Sequence, residues 1–205
     1  MQVKICGITH PEDAYHAAKA GADFIGVIFS PLSKRVVSLE QARDIQSAIN
    51  NTKAQLVGVF VEESVQQIVE ICTTLNISVI QLHGKQSLNA IEYLMQVYFI
   101  FYVLTQYDQF FYSHFSERIM PLFDNVKSDN HEPFDWLSFS PPQQPWVLAG
   151  GLTVTNVAKA IQLLNPSMVD VARGVERADS IRKDHHKVQQ FIAIAKTEKK
   201  SCLQS

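Results

Sequence analysis

Val3-Lys4-Ile5-Cys6-Gly7-Ile8-Thr9 reads as a short buried strand that ends in a thiol and a glycine turn and then feeds a helix. Val3 and Ile5 supply the apolar run, Cys6 and Gly7 close it, and Thr9 to Glu12 open the helix. The carboxyl end of a first strand, just ahead of a turn, is where α/β enzymes keep reactive groups. A single cysteine is more commonly a buried apolar side chain. Its position argues for the first meaning, and the rest of the chain decides.

Short apolar runs alternate with helical patterns from end to end, the pattern of βα units and a parallel sheet. Strands are expected at Val3 to Cys6, Phe24 to Phe29, Gln55 to Phe60, Ser78 to Leu82, Tyr98 to Leu104, Arg118 to Phe123, Trp146 to Ala149 and Met168 to Val171. Helices are expected at about Glu12 to Ala20, after Ser38, Ser64 to Leu75, Ser87 to Gln96, Thr155 to Leu164 and Lys183 to Lys196. A weakly helical aromatic stretch, Phe110 to Phe115, follows strand five, and Phe134 to Phe139 is a short helix or turn. Ser38 and Gln41 have capping-box spacing; Thr9 and Glu12 share it, although Pro11 makes His10 an equally good cap. Ile68, Ile71, Cys72 and Leu75 recur at helical intervals, so Cys72 reads as core packing. Eight such units fit a single-domain (β/α)8 TIM barrel over residues 1–205 better than an open sheet, with a short solvated tail from about 197.

Composition agrees. The chain has 205 residues, 46% apolar and 19% charged, with a formal net charge of -2, which gives no nucleic-acid footprint. No apolar run approaches the roughly 20 residues a membrane span needs, and the N-terminus lacks a secretory pattern. Cys6, Cys72 and Cys202 share no metal-ligand spacing and make no disulfide framework, so a reducing cytoplasm fits best. Cys202-Leu203-Gln204-Ser205 has the outline of a prenylation box, but Gln204 stands where an aliphatic residue is usual, and a solvated tail is the preferred reading.

In a barrel of this kind all strand carboxyl ends share one face. Those ends carry Cys6, Arg35, Gln81 and His83, Asp124, Gly150-Gly151, and Asp170 with Arg173-Gly174. Strands one and six are three steps apart in a ring of eight, so Cys6 and Asp124 should face each other across the mouth. Two proton-transfer groups on opposite sides of a small substrate suit an isomerisation. Gly150-Gly151 and Arg173-Gly174 follow the last two strands, where such barrels hold a phosphate against bare backbone N–H groups. A Gly-Gly pair alone is commonly only a turn. Lys34 and Arg35 together could simply be solvated, or Arg35 could clamp a substrate carboxylate with its planar fork. His83 is either a satisfied core histidine or a substrate-facing one.

These blocks resemble phosphoribosylanthranilate isomerase. The resemblance is carried by Lys4-Ile5-Cys6-Gly7-Ile8-Thr9, Ser33-Lys34-Arg35, Val57-Gly58-Val59-Phe60, Gln81-Leu82-His83-Gly84, Phe134-Asp135-Trp136, Ala149-Gly150-Gly151-Leu152, Asp170-Val171, Gly174-Val175-Glu176 and Lys183-Asp184-His185, in order over nearly the whole chain. It implies an Amadori rearrangement of N-(5'-phosphoribosyl)anthranilate to 1-(2-carboxyphenylamino)-1-deoxyribulose 5-phosphate in tryptophan biosynthesis. Asp124 would then protonate the furanose ring oxygen and Cys6 would remove the C2 proton. Arg35 would hold the anthranilate carboxylate, and Asp170 and His83 would contact the sugar or order the site. The backbone at Gly150, Gly151, Arg173 and Gly174 would hold the phosphate. No metal or organic cofactor is implied, because the iminium formed on ring opening is itself the electron sink. The implied partner is a small phosphosugar, with no membrane or nucleic acid, for a monomer or homodimer.

Two departures bear on this. The family's glycine-rich loop after the acid is replaced by Asn125 to Pro133, which has no glycine, and Ala172-Arg173 stands where small hydroxyl residues are usual. Arg173 could supply a side-chain phosphate contact instead. A catalytically silent phosphosugar-binding protein is the alternative from a different class. The related histidine-pathway isomerase would be expected to carry a carboxylate where Cys6 stands. Indole-glycerol-phosphate synthase would be expected to have an extra N-terminal helical segment and a strand-end lysine.

Overall fold

The structure, a computed structural model, describes residues 1–83, 86–105, 117–124 and 135–202. Eight parallel strands close into a barrel in chain order: β1 Gln2–Ile5, β2 Phe24–Ile28, β3 Gln55–Phe60, β4 Val79–Leu82, β5 Phe99–Leu104, β6 Ile119–Phe123, β7 Val147–Leu148 and β8 Met168–Val171. Closure is made by β1 against β8, with Gln2 opposite Met168, Val3 opposite Val169, Lys4 opposite Asp170 and Ile5 opposite Val171. The helices among the described residues are α1 Pro11–Ala20, α2 Leu39–Ile49, α3 Val65–Leu75, α4 Gln86–Leu94, α5 Val157–Leu164 and α6 His185–Cys202. The aromatic stretch 110–115, the loop 125–133 and Gly84 lie outside the described residues. Helix α6 starts two residues later than expected and carries helical backbone on to Cys202, into the stretch read as tail.

The ends of these elements follow from local chemistry. His10, not Thr9, caps α1: its Nδ1 accepts from the Glu12 N–H at 3.2 Å, and Pro11 takes the first helical position, where a missing N–H costs nothing. Ser38 with Gln41 and Ser64 with Gln67 form complete capping boxes on α2 and α3. Cys72 is buried on the inner face of α3, and burial pushes its thiol up to about 12, so it packs and does not react.

Strand side chains alternate between two apolar compartments. Val57, Val79, Phe101, Val103, Leu122, Val147, Ala149 and Met168 fill the barrel interior. The intervening residues, among them Val3, Ile5, Ile25, Ile80, Ile100 and Val169, pack outward into a larger core beneath the helices. Lys4 and Asp170 interrupt the interior: they are buried, opposite each other in register, and joined at 3.0 Å between Nζ and Oδ2.

A second buried carboxylate ties the last βα unit to the first. Asp13 on α1 is 1% exposed. It accepts from Arg182 Nε and Nη2 at 2.8 and 2.9 Å, from the Lys183 N–H at 3.0 Å and from His185 Nε2 at 2.9 Å. Burial opposes its ionisation, but the bonds from Arg182, Lys183 and His185 outweigh that and hold its pKa at about 2. A carboxylate depressed in the folded state stabilises the fold above its ordinary pKa, and that contribution is lost as pH falls through the folded value. Asp13→Asn should therefore lose roughly 2 kcal/mol or more in urea unfolding at pH 7. The gap to the unsubstituted protein should close as the pH is lowered from about 4 towards 2. Equal stability at pH 7 would show that the clamp contributes nothing.

Candidate active site

All nine residues to which the sequence resemblance gives a role line one cleft of about 500 Å³ at the carboxyl face of the barrel: Cys6, Arg35, His83, Asp124, Gly150, Gly151, Asp170, Arg173 and Gly174. Cys6 follows β1, Arg35 sits between β2 and α2, His83 follows β4, Asp124 follows β6, the glycine pair follows β7, and Arg173-Gly174 form a 3₁₀ turn after β8. Cys6 and Asp124 thus come from strands three steps apart in the ring, as their positions require. A second groove of similar volume, lined by Phe29, Leu32, Glu62, Glu63 and Glu70 among others, contains none of the nine.

The thiol is more buried than its place at the end of a strand suggests. Burial pushes the Cys6 pKa up, the Lys4 charge pulls it down, and the Asp170 charge adds to the rise; the net shift is upward. Lys4 remains an ammonium: burial works against its charge, but Asp170 and Cys6 more than compensate and raise its pKa. Asp170 Oδ1 and Gln81 Oε1 are buried polar atoms without a hydrogen-bond partner, and both residues face the cleft. Such atoms in a native site await a ligand or a water.

Arg35 is held by Glu176. Its Nε donates to Oε1 at 2.6 Å and its Nη2 to Oε2 at 3.0 Å, a bidentate pair that fixes the plane of the guanidinium. Glu176 also accepts from the buried Lys183 ammonium at 3.1 Å, which donates as well to the Ala172 carbonyl at 3.0 Å. Burial would raise the Glu176 pKa, but Arg35 and Lys183 keep it below the ordinary range. The Arg35 stem lies over Gly7, which has φ +66°; a Cβ there would stand 2.5 Å from Arg35 Cδ. Gly7 is therefore required twice, for its left-handed backbone and for the arginine that crosses it.

His83 is a neutral imidazole. Burial, with the Lys4 charge adding to it, lowers its pKa to about 4, and its Nε2 lies 2.7 Å from Gln81 Nε2. A ring in that state donates or accepts a hydrogen bond without carrying charge.

The loops after β7 and β8 form a bare backbone cradle. Gly150 and Gly151 both have positive φ, +77° and +68°. Among the described residues their N–H groups donate to no main-chain carbonyl. Asn156 braces this loop, donating to the Gly151 carbonyl at 2.9 Å and accepting from the Thr153 N–H at 2.8 Å. Gly174 packs so closely on the next loop that a Cβ would collide with the Leu152 carbonyl. Beside the cradle, burial and the Arg35 charge lower the Arg173 pKa, while Asp124 and Glu176 offset them in part. It stays a cation, set among charges of both signs.

Glu12, His16 and His185 bring one ligand atom each within 4.8 Å of one another, but none of them lines the cleft. Glu12 already pairs with Arg182 at 2.9 Å and His185 with Asp13 at 2.9 Å. Sequence reading gave no role to Lys4, Glu176, Lys183 or Asp13. Their only signal was that Lys4, Glu176 and Lys183 fall inside the blocks that carry the resemblance.

Comparison with known proteins agrees with this geometry. The family model described as N-(5'phosphoribosyl)anthranilate (PRA) isomerase matches residues 3–194. A Chlamydia caviae protein named N-(5'-phosphoribosyl)anthranilate isomerase is 43% identical over 200 residues, covering 96% of this chain and 97% of its own. A chloroplastic isomerase of that name from Arabidopsis thaliana is 36% identical over 95% of this chain and 74% of its own. The crystal structure of the Thermotoga maritima enzyme superposes with a TM-score of 0.87 at 32% identity, covering 96% of this chain and 99% of that one. A phosphoribosyl anthranilate isomerase in complex with reduced 1-(o-carboxyphenylamino)-1-deoxyribulose 5-phosphate superposes at 0.83 with 33% identity, over 96% and 99% of the two chains. With a matched model over almost its full length and relatives above 40% identity, this chain belongs to the N-(5'-phosphoribosyl)anthranilate isomerase family.

Proposed function

We propose that Asp124 and Cys6 carry the two proton transfers by which this chain isomerises N-(5'-phosphoribosyl)anthranilate in tryptophan biosynthesis. The observation that supports this reading is the convergence of an acid, a thiol, a clamped guanidinium and a bare glycine cradle on one cleft. The activity itself follows from the family.

Asp124 gives a proton to the furanose ring oxygen, the ring C–O bond breaks, and the anilino nitrogen lone pair completes the C=N bond of an iminium. Cys6, as thiolate, takes the C2 proton, and the C–H electron pair flows into that iminium to give an enolamine, which tautomerises to the ketone. Arg35, held flat by Glu176, offers its remaining edge to the anthranilate carboxylate. Gly150, Gly151 and Gly174 present backbone N–H groups to the phosphate, with Arg173 beside them. Asp170 accepts from a sugar hydroxyl through its unpartnered Oδ1, and neutral His83 orders the same side of the cleft. No cofactor enters, since the substrate supplies its own electron sink. The partner in this reading is the small phosphosugar alone, for a cytoplasmic monomer or homodimer that binds no nucleic acid. No helix among the described residues is long and apolar enough to cross a membrane.

Turnover of fluorescent phosphoribosylanthranilate tests the activity directly: fluorescence should decay with added protein, whereas a silent phosphosugar-binding barrel would leave it undiminished. Cys6→Ala should abolish most turnover and leave binding of a product analogue nearly intact. Asp124→Asn should lower kcat by roughly 10²–10⁴-fold, the usual worth of a general acid. Weak binding with unchanged turnover would instead make Asp124 a clamp.

Arg173 has its own signature. Arg173→Ala should raise KM by roughly ten- to a hundredfold with little change in kcat, as loss of a charge-assisted bond predicts. The effect should shrink with added salt. Arg173→Ser should recover part of it. An unchanged KM in both variants would leave the phosphate to the backbone N–H groups alone.

A further inference from the structure

We propose that Lys4 is a positioning residue for the isomerisation: its buried ammonium, seated between Asp170 and the Cys6 thiol, is the fixed counter-charge that lets Cys6 act as a thiolate. The proposal rests on Cys6 being the base.

Lys4 and Cys6 are two residues apart at the end of β1, so both side chains point to the same, inner side of the barrel. Lys4 has no exposed surface, its ammonium reaches Asp170 Oδ2 at 3.0 Å, and its charge acts directly on the Cys6 thiol. Gly26 on β2 opens the space where they meet. A Cβ at Gly26 would stand 2.9 Å from Cys6 Sγ and 3.2 Å from Lys4 Cε. A lysine in the interior of a barrel is costly to desolvate, and a buried ion pair is commonly no more stabilising than apolar residues of similar size. Half of the Asp170 carboxylate is left without a partner as well. Stability alone does not account for this pair. What it does provide is a positive charge that cannot move away from the thiol.

Other charges face Cys6 from the surrounding elements. Asp170 on β8 opposes the thiolate. Lys183, from the loop before α6, favours it. Arg35, between β2 and α2, also feels the Cys6 charge but is bound to Glu176. Neutral His83, Asp124 and Arg173 complete the cleft wall. Of these groups, Lys4 exerts the largest pull towards thiolate. The proton balance is simple. The Cys6 proton leaves to solvent, the thiolate takes the substrate proton, and Lys4 keeps its three hydrogens throughout.

The test uses the full chain carrying Cys72→Ala and Cys202→Ser, so that iodoacetamide reports on Cys6 alone. Alkylation rate against pH gives the thiol midpoint without reference to turnover. Lys4→Met should move that midpoint up by one unit or more, a tenfold loss of thiolate below it, and should move the alkaline-rising limb of kcat with it. Asp170→Asn should move the thiol midpoint down, because the Lys4 charge then acts unopposed. Lys4→Arg should stay near the unsubstituted value. A folded Lys4→Met protein with an unmoved midpoint overturns the proposal. If Lys4→Met does not fold, Asp170→Asn decides, and an unmoved or raised midpoint there overturns it too. Fully alkylated Cys6 with retained turnover is a different failure, of Cys6 as base, and does not bear on what Lys4 does to the thiol.

Discussion

The closure of β1 on β8 brings two charged side chains face to face inside an otherwise apolar cylinder. Lys4 and Asp170 are 166 residues apart in sequence and adjacent in the sheet. A charge on an inward-facing residue of β1 is met most directly by its register partners on β8 and β2. The register partner of Lys4 on β2 is the apolar Phe24, and its partner on β8 is Asp170, which carries the opposite charge. The pair therefore depends on the register of closure, and a one-residue slip would turn Lys4 away from Asp170 and towards the helices. The same register seats Cys6 one layer higher and aims the free Asp170 oxygen into the cleft. Fold and site share this constraint.

A second set of charges runs around the rim. His185 and Arg182 bind Asp13, the next residue Lys183 binds Glu176, and Glu176 fixes Arg35. Each link crosses between elements: α1 to the loop before α6, that loop to the turn after β8, and that turn to the loop before α2. The surface end of this chain contributes little, since the exposed Glu12–Arg182 pair is screened by water. Its inner members, buried Asp13 and Lys183 and half-buried Glu176, gain most from being satisfied together. The consequence at the site is geometric. A guanidinium on a loop would sample many rotamers, whereas one pinned on two nitrogens presents a single edge to the cleft.

What could be read from sequence divides along this line between local and distant causes. Strand β3 and strand β8 fall where their apolar runs put them, and the Ser38–Gln41 capping box starts α2 as its spacing requires. The convergence of Cys6, Arg35, Asp124 and the glycine pair on one face follows from strand ends in a parallel barrel, which needs no knowledge of packing. The choice of His10 over Thr9 as the cap of α1 was undecided, because Pro11 shifts the helix start by one residue and only the folded backbone shows which side chain reaches the Glu12 N–H. Lys4, Glu176 and Asp13 were silent for a different reason. Their partners lie 166, 141 and 169 residues away, and pairing at that range leaves no periodicity or local motif. The burial of Cys6 was hidden likewise, since strand-end position predicts which face a side chain joins but not how deeply it is covered.

Arg173 joins these two themes. A small hydroxyl residue at that place would give a phosphate one neutral hydrogen bond, and the backbone cradle would do the rest. An arginine adds a cation to a cleft lined by Arg35, Asp124 and Asp170, with Lys4, Lys183 and Glu176 behind them. Like charge from Arg35 disfavours its ionised form, and the Asp124 charge favours it. Under the proposed assignment this balance changes when substrate arrives. A phosphate held by the glycine cradle, as proposed, would compete with Asp124 for the Arg173 charge. The side chain that departs from the family pattern is therefore the one whose charge is shared between the acid and the arginine clamp, beside the glycine cradle.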